Sequence, residues 1–105
     1  MPARRWNERS RSPVAALNAV IEPDYPSFSL KVPDVFRARV FLEKFRDYVE
    51  RGNLPHLVVM ALPTDHTSGI SPGEPTPAAM VADNDLATGR ITWQVKEWSK
   101  VRTKV

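Results

Sequence analysis

An acidic residue and an imidazole stand side by side in LPTDHTSG, residues 62–69. Asp65 and His66 follow an apolar run and have hydroxyl-bearing residues on both sides. A histidine placed in this way can ligate a metal, contact a transferring phosphoryl group, or act as an acid or base. The competing interpretation makes Asp65 and Thr67 loop-capping residues and His66 an ordinary surface group.

A second polar motif, Asp83-Asn84-Asp85, lies on a predicted helix. Its two carboxylates are two residues apart, so they point about 200° away from each other and cannot hold one metal. Asn84 falls within the predicted apolar stripe of that helix, and a buried amide needs hydrogen-bond partners. We therefore expect Asn84 to support the loop. Asp83, on the flank of the stripe, either supports the loop as well or is a solvated helix charge, and Asp85 is expected to be solvated.

Two helices are predicted around these motifs. Residues 34–51 carry apolar side chains at three- and four-residue steps, and Gly52 is typical of a left-handed cap. A second helix is predicted to begin after Thr76, with Pro77 at its first position.

The apolar run HLVVMAL, residues 56–62, is predicted to be a strand buried in a parallel sheet, because it is apolar on both faces and bracketed by prolines. With residues 34–51 helical, the most buried positions are expected to include Phe41, Phe45, Val58 and Met60. A strand of this kind needs neighbours that the chain does not provide, so self-association is expected as well.

Residues 63–76 form a predicted long loop just beyond the carboxyl end of that strand, where open α/β sheets bind ligands. The second helix would direct free backbone N–H groups at an anion there. Since Pro77 has no N–H, Ala78 and Ala79 are the predicted phosphate-binding residues.

Composition narrows the class of protein. The chain has 105 residues and no cysteine, which excludes disulfides and thiolate metal sites. No apolar segment is long enough for a membrane span, and the Arg-rich N-terminus has no apolar segment of a secretory signal. Residues 1–11 and 96–105 each carry a net charge of +3, while the segment between them carries −3. Basic ends on an acidic body do not indicate specific nucleic-acid binding.

The stretch from about Tyr25 to Arg90 resembles an internal segment of the bacterial phosphoesterase family, which includes acid phosphatases and phospholipase-C-type enzymes. The resemblance rests on LPTDHTSG and on PGEPTPAAMVADNDLATGR, residues 72–90. It departs at Thr64, where the family pattern has Asn, and it fades after Arg90.

The resemblance implies an α/β fold, specifically a fragment of an alkaline-phosphatase-like sandwich in the order helix, buried strand, long loop, helix. It also implies a phosphate-ester substrate and a divalent metal in the parent family, whose members are often exported. Carried onto this chain, His66 would contact the phosphoryl group, and Asp65 would order the site or its metal. The family's nucleophile and its other metal ligands have no counterpart here, so we expect no turnover by this chain alone.

Three zones follow from this interpretation: a Pro-rich lead-in over residues 1–33, a phosphoesterase-like segment over 34–90, and a diverged basic helical tail over 91–105. The alternative function is of another class. In that case the chain is a small non-catalytic interaction protein whose basic ends bind an acidic partner.

Overall fold

The computed structural model describes residues 9–103, with side chains as far as residue 100. Its regular elements are two α-helices, α1 (Asp34–Arg51) and α2 (Pro77–Thr103), and two short 3-10 helices, Ala15–Ala19 and Pro63–His66. Residues 9–103 contain no strand. The described fold is therefore all-helical, and the predicted α/β sandwich fragment is wrong.

The apolar run, residues 56–62, is the origin of this error. No backbone N–H of the run makes a hydrogen bond to any other part of residues 9–103. Because a strand exists only through such pairing, the run has β-type residues without a sheet. Its outer face is open to solvent, since Leu57 is 79% exposed and Val59 86% exposed. Val58, expected in the core, is 47% exposed.

Only the inner face of the run is covered. Met60 and Leu62 pack against the small core formed by Ala38, Ala87 and Ile91. Side chains in an extended segment point alternately to opposite sides, and the single layer of two helices covers only one of these sides. Met60 is therefore partly buried, whereas the outer residues remain without cover.

Helix α1 confirms the prediction from periodicity and capping. Gly52 ends it with a φ of 68°, in the left-handed region that favours glycine. Phe45 is buried and Phe41 is partly buried on the side facing α2. The Phe45 ring stacks on Trp98 with centroids 5.4 Å apart, so the aromatic contact fixes the far end of the helix pair.

The contact between α1 and α2 centres on two alanines. Ala38 is 1% exposed and Ala87 is fully buried, and their small side chains let the helices approach closely. Thr76 caps α2 as predicted, because its hydroxyl accepts a hydrogen bond from the Ala79 N–H at 3.2 Å. No helix within the described residues is both long and apolar enough to cross a membrane.

Part of the lead-in, residues 22–25, is held by ion pairs and by a hydrogen bond. Lys44 on α1 forms ion pairs with Asp24 at 3.1 Å and Glu22 at 3.6 Å. The Tyr25 hydroxyl donates to the Ala61 carbonyl at 2.6 Å, and burial raises the pKa of Tyr25 above its usual range. These contacts join residues 22–25 to α1 and to the apolar run.

Candidate functional site

Five residues from three segments form a polar cluster beneath the loop that carries the Asp-His pair. They are Asp34 and Arg37 on α1, Thr64 at the start of the loop, and Asp83 and Asn84 on α2. Asp34 and Arg37 are completely buried, and Thr64 is 2% exposed. The first turn of α1 brings two of these residues to the start of the loop, and the middle of α2 supplies the other two.

The Asp34 carboxylate is the centre of the cluster. It accepts hydrogen bonds from the Thr64 N–H at 3.1 Å and the Thr64 hydroxyl at 2.6 Å. It also accepts from Asn84 Nδ2 at 2.9 Å and from Arg37 Nη1 at 3.3 Å. Four donors, one of them cationic, offset the cost of removing this carboxylate from water.

Asp83 caps α1 from the neighbouring helix. Pro33 precedes α1 and offers no side-chain cap, so the first N–H groups of the helix need another acceptor. The Asp83 carboxylate accepts from the Asp34 N–H at 2.6 Å and the Val35 N–H at 3.2 Å. It thereby supplies both a hydrogen-bond partner and a negative charge at the positive end of α1.

Asn84 joins the cluster to the apolar run. Its amide group donates to the Leu62 carbonyl at 2.8 Å as well as to Asp34. The Thr64 hydroxyl lies 3.0 Å from Asp83 and 2.6 Å from Asp34, and we assign its single proton to the shorter contact. The predicted loop-supporting residues Asp83 and Asn84 therefore contact the segment that leads into the loop.

Arg37 ties the lead-in to the same cluster. Its guanidinium donates to the backbone carbonyls of Pro26, Ser27, Ser29 and Val32, and to Asp34. Burial lowers the pKa of Arg37, an effect that the Asp34 carboxylate opposes. No buried side-chain polar atom of the described residues lacks a hydrogen-bond partner. The buried polar groups of the cluster are thus all hydrogen-bonded, and none is free for chemistry.

His66 and Asp65 lie outside the polar cluster, at the surface. Their side chains are 67% and 58% exposed, and Nε2 of His66 is 3.8 Å from an Asp65 oxygen. The His66 ring also meets Phe28 edge-on, with centroids 5.7 Å apart. Residues 9–103 contain no group of three or more acidic or histidine side chains suited to a metal ion. The structure therefore places Asp65 beside His66 without adding further ligands.

The predicted phosphate donors are only partly available. The Ala79 N–H is occupied by the Thr76 hydroxyl, whereas Ala78 lies exposed in the first turn of α2. The loop approaches this helix, because the Ser68 N–H lies 3.3 Å from the Met80 sulfur. An anion near α2 could thus use the Ala78 N–H directly, and the Ala79 N–H only by displacing its cap.

Thr67, the residue after His66, has a φ of 53° and a ψ of 163°. This region is almost restricted to glycine, and a β-branched residue there stores about 1–3 kcal/mol of strain. The strained residue adjoins the exposed imidazole and follows the segment fixed by the polar cluster. Strained backbone of this kind concentrates at functional sites.

Comparisons with family models, with curated proteins and with solved structures find no match to this chain. The likeness to the phosphoesterase family therefore rests on the motifs at residues 62–69 and 72–90 alone.

Sequence reasoning missed three members of the cluster: Asp34, Arg37 and Thr64. Asp34 and Arg37 are three residues apart in the first turn of a helix, a spacing that is also common for solvated ion pairs. Thr64 marked the departure from the family motif, and it proves to be a buried donor to Asp34. The available signal was Arg37 on α1, the helix that packs on α2 and faces its Asp83-Asn84 pair.

Proposed function

We propose that this chain is a segment of a phosphoesterase-type hydrolase acting on phosphate ester bonds, inactive alone. In that role it holds the Asp65-His66 loop in place. One observation carries the proposal: buried Asp34 and partly buried Asn84 fix the start of the loop while His66 stays accessible. Asn84 and most of the loop, residues 63–69 and 72–76, belong to the motifs that resemble the family.

The exposed imidazole supports a phosphate-contacting role. A protonated or donating imidazole stabilises negative charge on phosphoryl oxygens. Phosphoester hydrolysis of the family's type also needs a nucleophile and a metal, and one loop cannot supply all of these. The chain thus contributes an anion contact, and the remaining groups must come from other residues.

The open face of the apolar run supports the proposal that this chain is a segment of a larger hydrolase. Leu57 and Val59 are exposed, and the backbone N–H groups of residues 56–62 are unpaired within residues 9–103. Such a row is a template for pairing with another strand. In a complete hydrolase of this type, further residues would cover this exposed apolar face.

A phosphate titration followed by NMR tests the proposal. We expect inorganic phosphate at millimolar concentration to shift the His66 ring and the Ala78 amide, and His66→Gln to remove the effect on Ala78. His56→Gln is the matched control, since His56 is exposed and opens the apolar run. Shifts confined to the basic ends, with His66 silent, would overturn the proposal and favour the interaction protein.

An aryl phosphate assay with added divalent metals completes the test. We expect no turnover by this chain. Metal-dependent turnover that His66→Gln abolishes would refute the claim that the chain is inactive alone. The gene on either side of this reading frame offers an independent check. The phosphoesterase family has a Ser or Thr nucleophile upstream of this segment and a Glu-Asp-Asp run downstream of it. Finding both there would support the segment assignment.

A further inference from the structure

A groove of about 490 Å³ runs along α1, on a different surface from His66 and its loop. Its floor is formed by Val35 and Leu42 with Ala38, which is 1% exposed, beneath them, and all three belong to the core packing between α1 and α2. These residues recur on one side of the helix, at intervals of three and four. The groove extends as far as Arg46, and the eleven helical steps from Val35 to Arg46 give it a length of roughly 16 Å.

Arginines surround this apolar floor. Arg39 and Arg46 on α1 and Arg90 on α2 line the groove, with Glu43 as the single acidic residue. None of the three guanidiniums forms an ion pair with a described side chain. Arg39 lies 5.0 Å from the centre of the Phe36 ring, which holds it over the apolar surface. The rim is therefore cationic and unneutralised, while the floor is hydrocarbon.

We propose that this groove binds a single-chain amphiphile with an anionic headgroup, a carboxylate or a phosphate. The alkyl chain would lie along Val35, Ala38 and Leu42, and the headgroup would meet the arginines. Guanidinium groups bind both kinds of oxyanion through paired N–H groups. The inference does not rest on the phosphoesterase proposal, because it uses neither the His66 loop nor the polar cluster.

The size of the groove favours an alkyl chain over a helix of a partner protein. Its volume falls within the range of small-molecule sites. An α-helix about 10 Å across and of the same length as the groove occupies roughly 1,200 Å³. The groove could enclose less than half of such a helix, whereas a flexible alkyl chain can follow its apolar floor.

NMR titration of the full chain with dodecyl phosphate, below the concentration at which it forms micelles, tests the proposal. We expect shifts at Ala38 and Leu42, and the same shifts with dodecanoate if the headgroup chemistry is shared. Octyl phosphate should bind at least about tenfold more weakly, because fewer CH₂ groups are buried. Inorganic phosphate should leave the floor residues unchanged, since it has no chain.

Variants of the rim test the charge. Arg39→Gln and Arg90→Gln should each weaken dodecyl phosphate binding about threefold to fivefold, as expected for solvent-exposed ion pairs. Arg11→Gln, at an exposed arginine outside the groove, is the matched control and should bind as the natural chain does. All three substitutions are at exposed positions, so the fold should be retained.

Three outcomes would overturn the proposal. Equal binding of dodecyltrimethylammonium would remove the role of the arginines. Shifts confined to Leu57 and Val59 would place the alkyl chain on the open face of the apolar run. Displacement of dodecyl phosphate by an acidic amphipathic peptide of higher affinity would reassign the groove to a protein partner.

Discussion

Asp83→Ala removes the side-chain cap that α2 provides for α1, without touching α1 itself. The Asp34 N–H and the Val35 N–H, which donate to Asp83 at 2.6 and 3.2 Å, lose their acceptor. The Thr64 hydroxyl keeps Asp34 as its partner at 2.6 Å, so it adds no further loss. The perturbation is therefore confined to the two N–H groups and to the charge at the start of the helix.

The expected cost follows from these contacts. Loss of a helix cap costs about 1 kcal/mol. Leaving partly buried N–H groups without an acceptor adds about 1–3 kcal/mol. The free energy of unfolding should thus fall by about 2–4 kcal/mol. For a domain of this size each kcal/mol lowers the Tm by about 4–8 °C, which gives a fall of roughly 8–30 °C.

Thermal and urea unfolding, followed by far-UV circular dichroism, measure this change. Asp85→Ala is the matched control, because Asp85 is exposed on the same helix and has no hydrogen-bond or ion-pair partner among the described residues. It should alter the free energy of unfolding by no more than about 0.5 kcal/mol. Equal Tm values for the two variants would refute the view that Asp83 caps α1.

Three further predictions concern the lead-in and the apolar run. Arg37→Met should destabilise the protein by about 3–5 kcal/mol, because it leaves the Asp34 carboxylate buried without its cation. It should also make residues 26–32 sensitive to limited proteolysis, since their carbonyls lose the guanidinium. An unchanged digestion pattern would contradict this. Since burial raises the pKa of Tyr25, the neutral phenol stabilises the fold, and this stability should decline as pH rises above about 10, the value in the unfolded chain. Tyr25→Phe should flatten that decline in urea unfolding at alkaline pH, and an unaltered slope would count against it. Val59→Lys should reduce concentration-dependent association in sedimentation velocity, whereas Val20→Lys, at an exposed valine outside the run, should not; equal effects would mean that the run does not pair.

The helices could be predicted because their signals are local. Thr76 and Gly52 act within four residues of the backbone groups they cap. The apolar stripe of α2 likewise needs only its own sequence: Met80, Ala87 and Ile91 share one side of the helix, and all three are buried. Such features depend on helix geometry, which every helix shares.

The apolar run could not be assigned correctly from its own residues. A segment that is apolar on both faces would suit a buried strand. Strand pairing, however, also depends on a second strand elsewhere. Without one in residues 9–103, the helix pair covers only the face of Met60 and Leu62. The need of Asn84 for partners was evident, but its acceptors lie 22 and 50 residues away in the sequence. Contacts between residues so far apart in the sequence depend on the packing of α1 on α2.

The cap that Asp83 gives to α1 has a consequence for how the chain is made. Asp83 follows Asp34 by 49 residues, so the start of α1 emerges from the ribosome before its cap does. At about 5–20 residues per second, this delay is roughly 3–10 s, many orders of magnitude longer than a helix needs to form and melt. Throughout that interval the nascent α1 has neither its cap nor the helix it packs against. Any chaperone or protease that acts during translation would therefore meet an open, frayed first turn at Asp34.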